Sequence, residues 1–166
     1  MDIEQRFLHR SAYHLRDDYL PKVREAVVLL SEDEIWQREG DVSNSIGNLL
    51  LHMAGNVRQH IIAGVGQRHE DRRDRPAEFS AVGGKNKSEL LAQLEQTVSE
   101  ACEVLESFDP AQLLTQRLIQ NKEVTLLDDI YHVVEHFGYH TGQIIYIVKA
   151  LKQHPFRWYK KLDKVP

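Results

Sequence analysis

Apolar residues recur at intervals of three and four along most of the chain, which is the spacing of helices with one buried face. The pattern predicts four main helices: Ile3 to Leu30, a second from after Ser43 to Ile61, a third from Ser88 to Phe108, and a fourth from Thr125 to about Lys152. Pro21 should kink or divide the first helix, because proline lacks a backbone N–H. The predicted class is therefore all-α, with a four-helix bundle as the leading architecture.

Two stretches between these helices lack helical spacing. The connection "QRHEDRRDRPAEFSAVGGKNK" is too charged, and too broken by Pro76 and Gly83, to be expected in a core. It is longer than the usual link between antiparallel neighbours, so we expect it to cross the bundle or to line a site. The stretch "RLIQNKEVT" fits either an extended segment or a hairpin-like loop.

Composition narrows the classes of partner. A chain of 166 residues, 42% of them hydrophobic, can bury one core, and a single domain over residues 1–166 is expected. A net charge of -4 gives no electrostatic reason to bind nucleic acid or anionic lipid. No apolar run approaches the roughly 20 residues of a membrane span, and "MDIEQRFLHR" lacks a secretion signal's apolar core, so a cytoplasmic protein is expected. Cys102, the single cysteine, follows the apolar pattern and is predicted to be a buried thiol.

The segment "HVVEHFGYHTGQ" places His132, His136 and His140 four residues apart, in a slowly winding row along the fourth helix. On the helical wheel His140 lies nearest the apolar arc and His132 farthest, so His136 and His140 are predicted to face inward. Asp129 and Gln143 share this row and offer acceptors for imidazole N–H groups. A solvated polar face that merely contains histidines is the alternative, since two nitrogens hold a divalent ion weakly.

A third ligand is not settled by periodicity. His52, in "NSIGNLLLHMAGN", is the best candidate, but its position off the strongest apolar arc makes an exposed side chain the simpler interpretation. The letters His132-x-x-Glu135-His136 also match the H-x-x-E-H motif of inverted zinc proteases, with Glu135 as general base. That motif needs a further carboxylate ligand from a larger mixed fold, and residues 137–166 contain a single acid, Asp163.

Three segments, "SNSIGNLLLHMAGNVRQHI", "RDRPAEF" and "VVEHFGYHTGQIIYIVKAL", resemble the DinB-like superfamily of metalloenzymes, and the resemblance covers nearly the whole chain. This superfamily is associated with bacillithiol transferases and mycothiol-dependent maleylpyruvate isomerase. The resemblance implies an up-down-down-up four-helix bundle, often a homodimer, with metal ligands at His52, His136 and His140. Thiol-transferase-like members often have a basic residue after the last histidine, where this chain has Thr141, which weakens the expectation of a low-molecular-weight thiol cosubstrate.

Three neutral imidazoles would leave a divalent ion, zinc or nickel, with open positions for water or a thiolate. The expected function is thus a metal-dependent enzyme, thiol-transferase-like or hydrolase-like, acting on a small molecule. Candidates for contacts to the ligands or to substrate are Asn48, Asn56, Asp129 and Gln143, and weak catalytic candidates are Tyr139 and Glu135. The alternative is a non-catalytic structural or stress-related dimer.

Overall fold

The computed structural model describes residues 1–158 and is mostly helical, in agreement with the predicted class. Residues 159–166 of the predicted domain lie outside the described part. The elements are α1 (Ile3–Tyr13), α2 (Leu20–Val28), α3 (Ile46–Val57), α4 (Arg75–Ser80), α5 (Lys87–Ser107), β1 (Gln116–Ile119), β2 (Lys122–Thr125) and α6 (Leu126–Lys152). Among the helices described here, none combines the length and apolar character needed to cross a bilayer.

The first two long helical stretches each contain wide, π-helical turns. His14–Tyr19 joins α1 to α2 in this way, and Arg58–Val65 continues α3 to Gly66. Pro21 lies at the start of α2, directly after the first of these turns. The chain stays helical through this point, so Pro21 does not divide the first helix; the hydrogen bonding changes from π to α type immediately before this residue, which has no N–H to donate. Such turns inside helices occur frequently at functional sites.

Two helix starts differ from the prediction by two residues. The cap of α3 is Ser45, whose side chain accepts from the backbone N–H of Asn48, and not Ser43. The cap of α5 is Asn86, and not Ser88. In both places several short polar residues stand together, and the cap is the one whose side chain and third following residue exchange hydrogen bonds.

The core lies between the long helices. Helix α3 packs against α5 and α6, α1 packs against α5, and α2 packs against α6. Phe137 and Met53 are fully buried, and full burial of a side chain of this size contributes roughly 3 kcal/mol. Cys102 is buried as predicted, and its thiol lies 3.6 Å from the carbonyl oxygen of Ala12.

The stretch "RLIQNKEVT" forms the hairpin that the sequence left as one of two alternatives. Strands β1 and β2 pair antiparallel, and the turn residues Gln120 and Asn121 both have positive φ, as two-residue hairpin turns require. The guanidinium of Arg117 donates to the carbonyl oxygens of Gly64 and Val65, at 2.8 and 2.7 Å. The hairpin directly precedes α6 in the chain. It therefore supplies hydrogen-bond donors to two backbone carbonyl groups at the end of the α3 stretch.

The connection between α3 and α5 was expected to lie outside the core because of its charge, yet part of it is helical and one of its acids is buried. It contains α4, and Glu78 within α4 is buried. The side-chain amide of Asn48 donates to the carbonyl oxygens of Glu78 and Ala81, at 2.9 and 2.8 Å, and so holds this segment against α3. The polar side of α3 is therefore covered by the connection, which lines the site described next.

Candidate metal centre

Three histidines from two helices converge at one point. His52 lies on α3, and His136 and His140 lie one turn apart on α6. The Nε2 atom of His136 is 3.0 Å from Nε2 of His52 and 3.0 Å from Nε2 of His140. One nitrogen from each ring lies within 4.8 Å of the other two, a spacing at which the three could hold a metal ion.

The position of His52 corrects the simpler interpretation of its periodicity. The residue is only 5% exposed, because the connection covers the polar side of α3. The inward orientation predicted for His140 is confirmed by its burial, and His132, farthest from the apolar arc, is exposed.

Acceptor oxygens contact the outer nitrogens of two of the three rings. Nδ1 of His52 lies 2.9 Å from Oε2 of Glu78 and 3.0 Å from a guanidinium nitrogen of Arg73, and Nδ1 of His140 lies 2.7 Å from Oε1 of Gln143. Since a carboxylate and an amide oxygen can only accept, a hydrogen bond to either oxygen requires a hydrogen on Nδ1 and leaves the lone pair of that ring on Nε2. Two lone pairs therefore face the Nε2 of His136, and one N–H on His136 cannot serve both.

The spacing of these nitrogens fits a shared cation. Ligand nitrogens about 2.1 Å from one ion are about 3.0 Å apart at a right angle and about 3.4 Å apart at the tetrahedral angle. Imidazole nitrogen suits zinc, nickel, copper and iron, so the donor set indicates a divalent transition metal without selecting one. The residues present thus fit the ion that the sequence predicted.

The surroundings of His136 and His140 keep these two rings uncharged. Burial, together with the neighbouring His140 and His52, lowers the pKa of His136 from 6.5 to about 3. Burial also lowers the pKa of His140, against an opposing hydrogen bond from that ring to Gln143. Because a metal ligand must be deprotonated, both rings are in the form that binds an ion at neutral pH.

A buried ion pair stands behind His52. The Arg73 guanidinium donates to both carboxylate oxygens of Glu78, at 2.7 and 2.8 Å, and also to the amide oxygen of Gln59 at 2.9 Å. Burial by itself raises the pKa of Glu78, but the hydrogen bonds from Arg73 and His52 outweigh it and lower the pKa below its usual value. Glu78 is therefore ionised and accepts from His52.

The four polar residues proposed as hydrogen-bond partners of the site make different contacts in the structure. Gln143 contacts His140, as described. Asn48 binds backbone atoms of the connection instead of a ring. Asp129 is buried, but its Oδ1 atom accepts from Nδ1 of His60, at 2.8 Å, so the expectation that it orients one of the three converging rings is corrected. The side-chain oxygen of Asn56 is buried and has no hydrogen-bond partner among the described residues.

Tyr139 and Glu135, the weak catalytic candidates, are both exposed, and the edge of the Tyr139 ring lies against His140 with the centroids 5.3 Å apart. The protease-like motif would pair His132 with His136. Their ring centroids are 5.5 Å apart, whereas those of His136 and His140 are 4.3 Å apart. The geometry groups His136 with His140 and His52, and not with His132.

A cavity of about 590 Å³ lies between α6 and residues 37–49, and its wall includes Gln143, the hydrogen-bond partner of His140, but none of the three histidines. Gln143 and Tyr139 both form part of its wall, together with Leu49, Tyr146 and Glu39. A volume of this size is within the range of small-molecule sites. The cavity therefore adjoins the side of His140 that bonds to Gln143.

Sequence reasoning missed Arg73 and Glu78 as residues of the site. Both belong to "RDRPAEF", which the resemblance had singled out without a role. The length of the connection was a usable signal, because it predicted that the segment would line a site, but helical periodicity carries no information about which of its charged side chains turns inward.

The comparisons with known proteins are consistent with this fold. A family model described as "Protein of unknown function (DUF1572)" matches residues 2–161. The search of curated proteins finds no significant match. Among solved structures, a crystal structure described as the conserved protein of locus from Enterococcus faecalis is 18% identical, with a TM-score of 0.72, and the match covers 93% of this chain and 99% of that one. At this identity the likeness concerns the fold alone.

Proposed function

The chain belongs to the DUF1572 family of proteins of unknown function, and we propose that it is a metal-dependent enzyme whose ion is held by His52, His136 and His140. The observation that carries the proposal is the approach of three Nε2 atoms, two of them on rings whose Nδ1 atoms contact the acceptor oxygens of Glu78 and Gln143. Three protein ligands with open positions are the usual arrangement of catalytic zinc sites, whereas structural sites have four.

A bound divalent ion would lower the pKa of water toward about 7 or bind a thiol as thiolate. The chain's own residues supply the surroundings. Burial and neighbouring rings keep His136 and His140 neutral, so no proton competes with the ion at neutral pH. Gln143 holds His140 in the ligand tautomer, and the adjoining cavity offers room for a small substrate. Both hydrolysis and thiol transfer use this arrangement.

The proposed architecture is a DinB-like four-helix bundle of up-down-down-up type. It is supported by the long helical stretches and by their contacts, with α3 against α5 and α6 and α2 against α6. We retain as predictions a single domain over residues 1–166, a homodimer in the cytoplasm, zinc or nickel as the ion, and a low-molecular-weight thiol as a possible cosubstrate.

A non-catalytic dimer in which the ion only ties α3 to α6 is the second candidate. The observation that favours it is the burial of His52 and His140, which limits access to the ion. The cavity beside Gln143 and Tyr139 favours the enzyme, because a purely structural site needs no adjoining space for a ligand.

The experiment is metal analysis of protein purified without a metal-affinity tag. We expect one ion per chain in the wild type, loss of the ion in His52→Ala and His140→Ala, and retention in the matched variant His132→Ala. Circular dichroism checks that each variant is folded. A folded wild type that neither carries an ion nor binds added zinc or nickel would overturn the proposal.

Activity is then tested with the loaded protein. One assay offers a small thiol and a chromogenic electrophile, and the other offers a chromogenic ester. Turnover in either assay that His52→Ala lacks supports an enzyme and identifies its reaction class. An ion bound without turnover in broad panels of both kinds would favour the structural dimer.

A further inference from the structure

Side chains of the segment "RDRPAEF" gather around the imidazole ring of His52. Glu78 accepts from Nδ1 of His52 at 2.9 Å, and Arg73 holds both oxygens of that carboxylate. The ring of Phe79 lies against the same imidazole, with the centroids 4.5 Å apart. The segment thus contacts His52 by a hydrogen bond from Nδ1 to a carboxylate and by an aromatic ring, and it leaves Nε2 to the other two histidines.

Gly55, three residues after His52 on α3, makes this approach possible. A Cβ atom at position 55 would lie 1.9 Å from Oε1 of Glu78 and 3.0 Å from Nε of Arg73. Any side chain there would displace the carboxylate. The amide of Asn48 holds the backbone of Glu78 from the other direction. The position of the carboxylate is therefore specified by a glycine and an amide on α3 and by a guanidinium in the connection.

We propose that Glu78 is a positioning residue for His52 and that, together with Arg73 and Gly55, it sets the affinity of the site for its ion. This inference rests on the proposed metal site. A carboxylate that accepts from the far nitrogen of a ligand histidine fixes the ring's orientation and tautomer and makes the ligating nitrogen more basic. Loss of such a partner typically weakens metal binding 10- to 100-fold.

Arg73 also provides the buried Glu78 carboxylate with a partner of opposite charge. Its side chain is 5% exposed, and its guanidinium donates to both oxygens of the Glu78 carboxylate, at 2.7 and 2.8 Å. The pair adds no net charge, so His52 gains a strong acceptor without an uncompensated anion in the interior. The segment therefore acts on the ion through His52, and none of its residues has to touch the ion.

The test measures zinc affinity by competition with a chromogenic chelator. Glu78→Gln keeps the shape of the side chain and removes its charge, and we expect 10- to 100-fold weaker binding. Gly55→Ala changes none of the residues that form the network, but its methyl group pushes the Glu78 carboxylate away from His52, and a loss of similar size is expected. Gly142→Ala, with nothing within 4 Å of the new methyl group, and Glu123→Gln, on the exposed hairpin, are the controls.

The visible spectrum of the cobalt-loaded protein gives a second measure, because a reoriented imidazole changes the ligand field. Glu78→Asp, which restores the charge on a shorter side chain, is expected to recover part of the affinity. Wild-type affinity and an unchanged cobalt spectrum in Glu78→Gln would overturn the inference, as would an affinity loss seen only where the metal-free variant is unfolded. Failure of the wild type to bind zinc would instead overturn the proposed function itself.

Discussion

The metal-free protein is expected to lose stability as the pH falls from 7.5 to 5.0, and His136 is expected to account for a large part of the loss. Burial and the neighbouring rings lower the pKa of His136 to about 3 in the folded chain, against 6.5 when unfolded. Between these values the unfolded chain binds a proton that the folded chain excludes. The contribution of His136 to the free energy of unfolding is therefore fully present above pH 6.5, and it is lost as the pH falls toward 3.

The size of this effect follows from the two pKa values. At pH 5.0 an unfolded histidine is protonated about 30 to 1, while His136 in the folded chain is almost entirely neutral. The difference corresponds to about 2 kcal/mol, since one pKa unit is worth 1.36 kcal/mol. The figure depends little on the folded value, because any folded pKa below about 4 gives nearly the same result at pH 5.0.

The assay is urea unfolding at pH 7.5 and 5.0 in the presence of a chelator, for the wild type and for His136→Gln. We expect the wild type to lose about 2 kcal/mol more than the variant between the two pH values. His9→Gln, at an exposed position of α1, should retain the wild-type dependence. If His136→Gln and the wild type lose the same amount, the fold does not hold His136 neutral, and the argument for a proton-free ligand fails.

Two further predictions concern other parts of the chain. Burial raises the pKa of the Cys102 thiol to about 11, so a thiolate-directed reagent at pH 8 should label it only in denaturant, and rapid labelling of the native protein would contradict this. A Cβ atom at Gly47 would lie 2.7 Å from the ring of Trp36, so Gly47→Ala should cost about 1–3 kcal/mol in thermal or urea unfolding. Gly142→Ala, in open space on α6, should instead be neutral or stabilising by up to about 1 kcal/mol, and equal losses in the two variants would refute the distinction.

Local patterns were sufficient for the long helices. Apolar spacing predicted their positions, Pro21 lies next to the π-helical turn that joins α1 to α2, and Thr125 caps α6 as expected. The caps at Ser45 and Asn86 were each misplaced by two residues, because neighbouring serines and asparagines offer the same chemistry. Which of them bonds to the helix depends on backbone conformation, which the letters do not specify.

The site was predictable only where its residues share a helix. Spacing alone favoured His136 and His140 as the inward pair on α6, and their geometry agrees. His52 required the resemblance, because its burial comes from the connection that packs over α3 and not from its own helix. Asp129 lies on the predicted row of α6, but its hydrogen-bond partner is His60 and not one of the three converging histidines. A helical wheel of α6 could not predict this contact, because the wheel does not show the residues of the neighbouring helix.

The hairpin between α5 and α6 has a practical consequence. Two sets of hydrogen bonds hold its base in place. Arg117 donates to the backbone carbonyls of Gly64 and Val65, and the backbone N–H of Leu126 donates to the carbonyl oxygen of Thr115. Its tip, where two residues adopt left-handed backbone angles, is exposed. Extra residues spliced into that tip would extend into solvent without shifting either histidine-bearing helix, which makes it a convenient attachment point for a fluorophore or an epitope that reports on the protein without disturbing its centre.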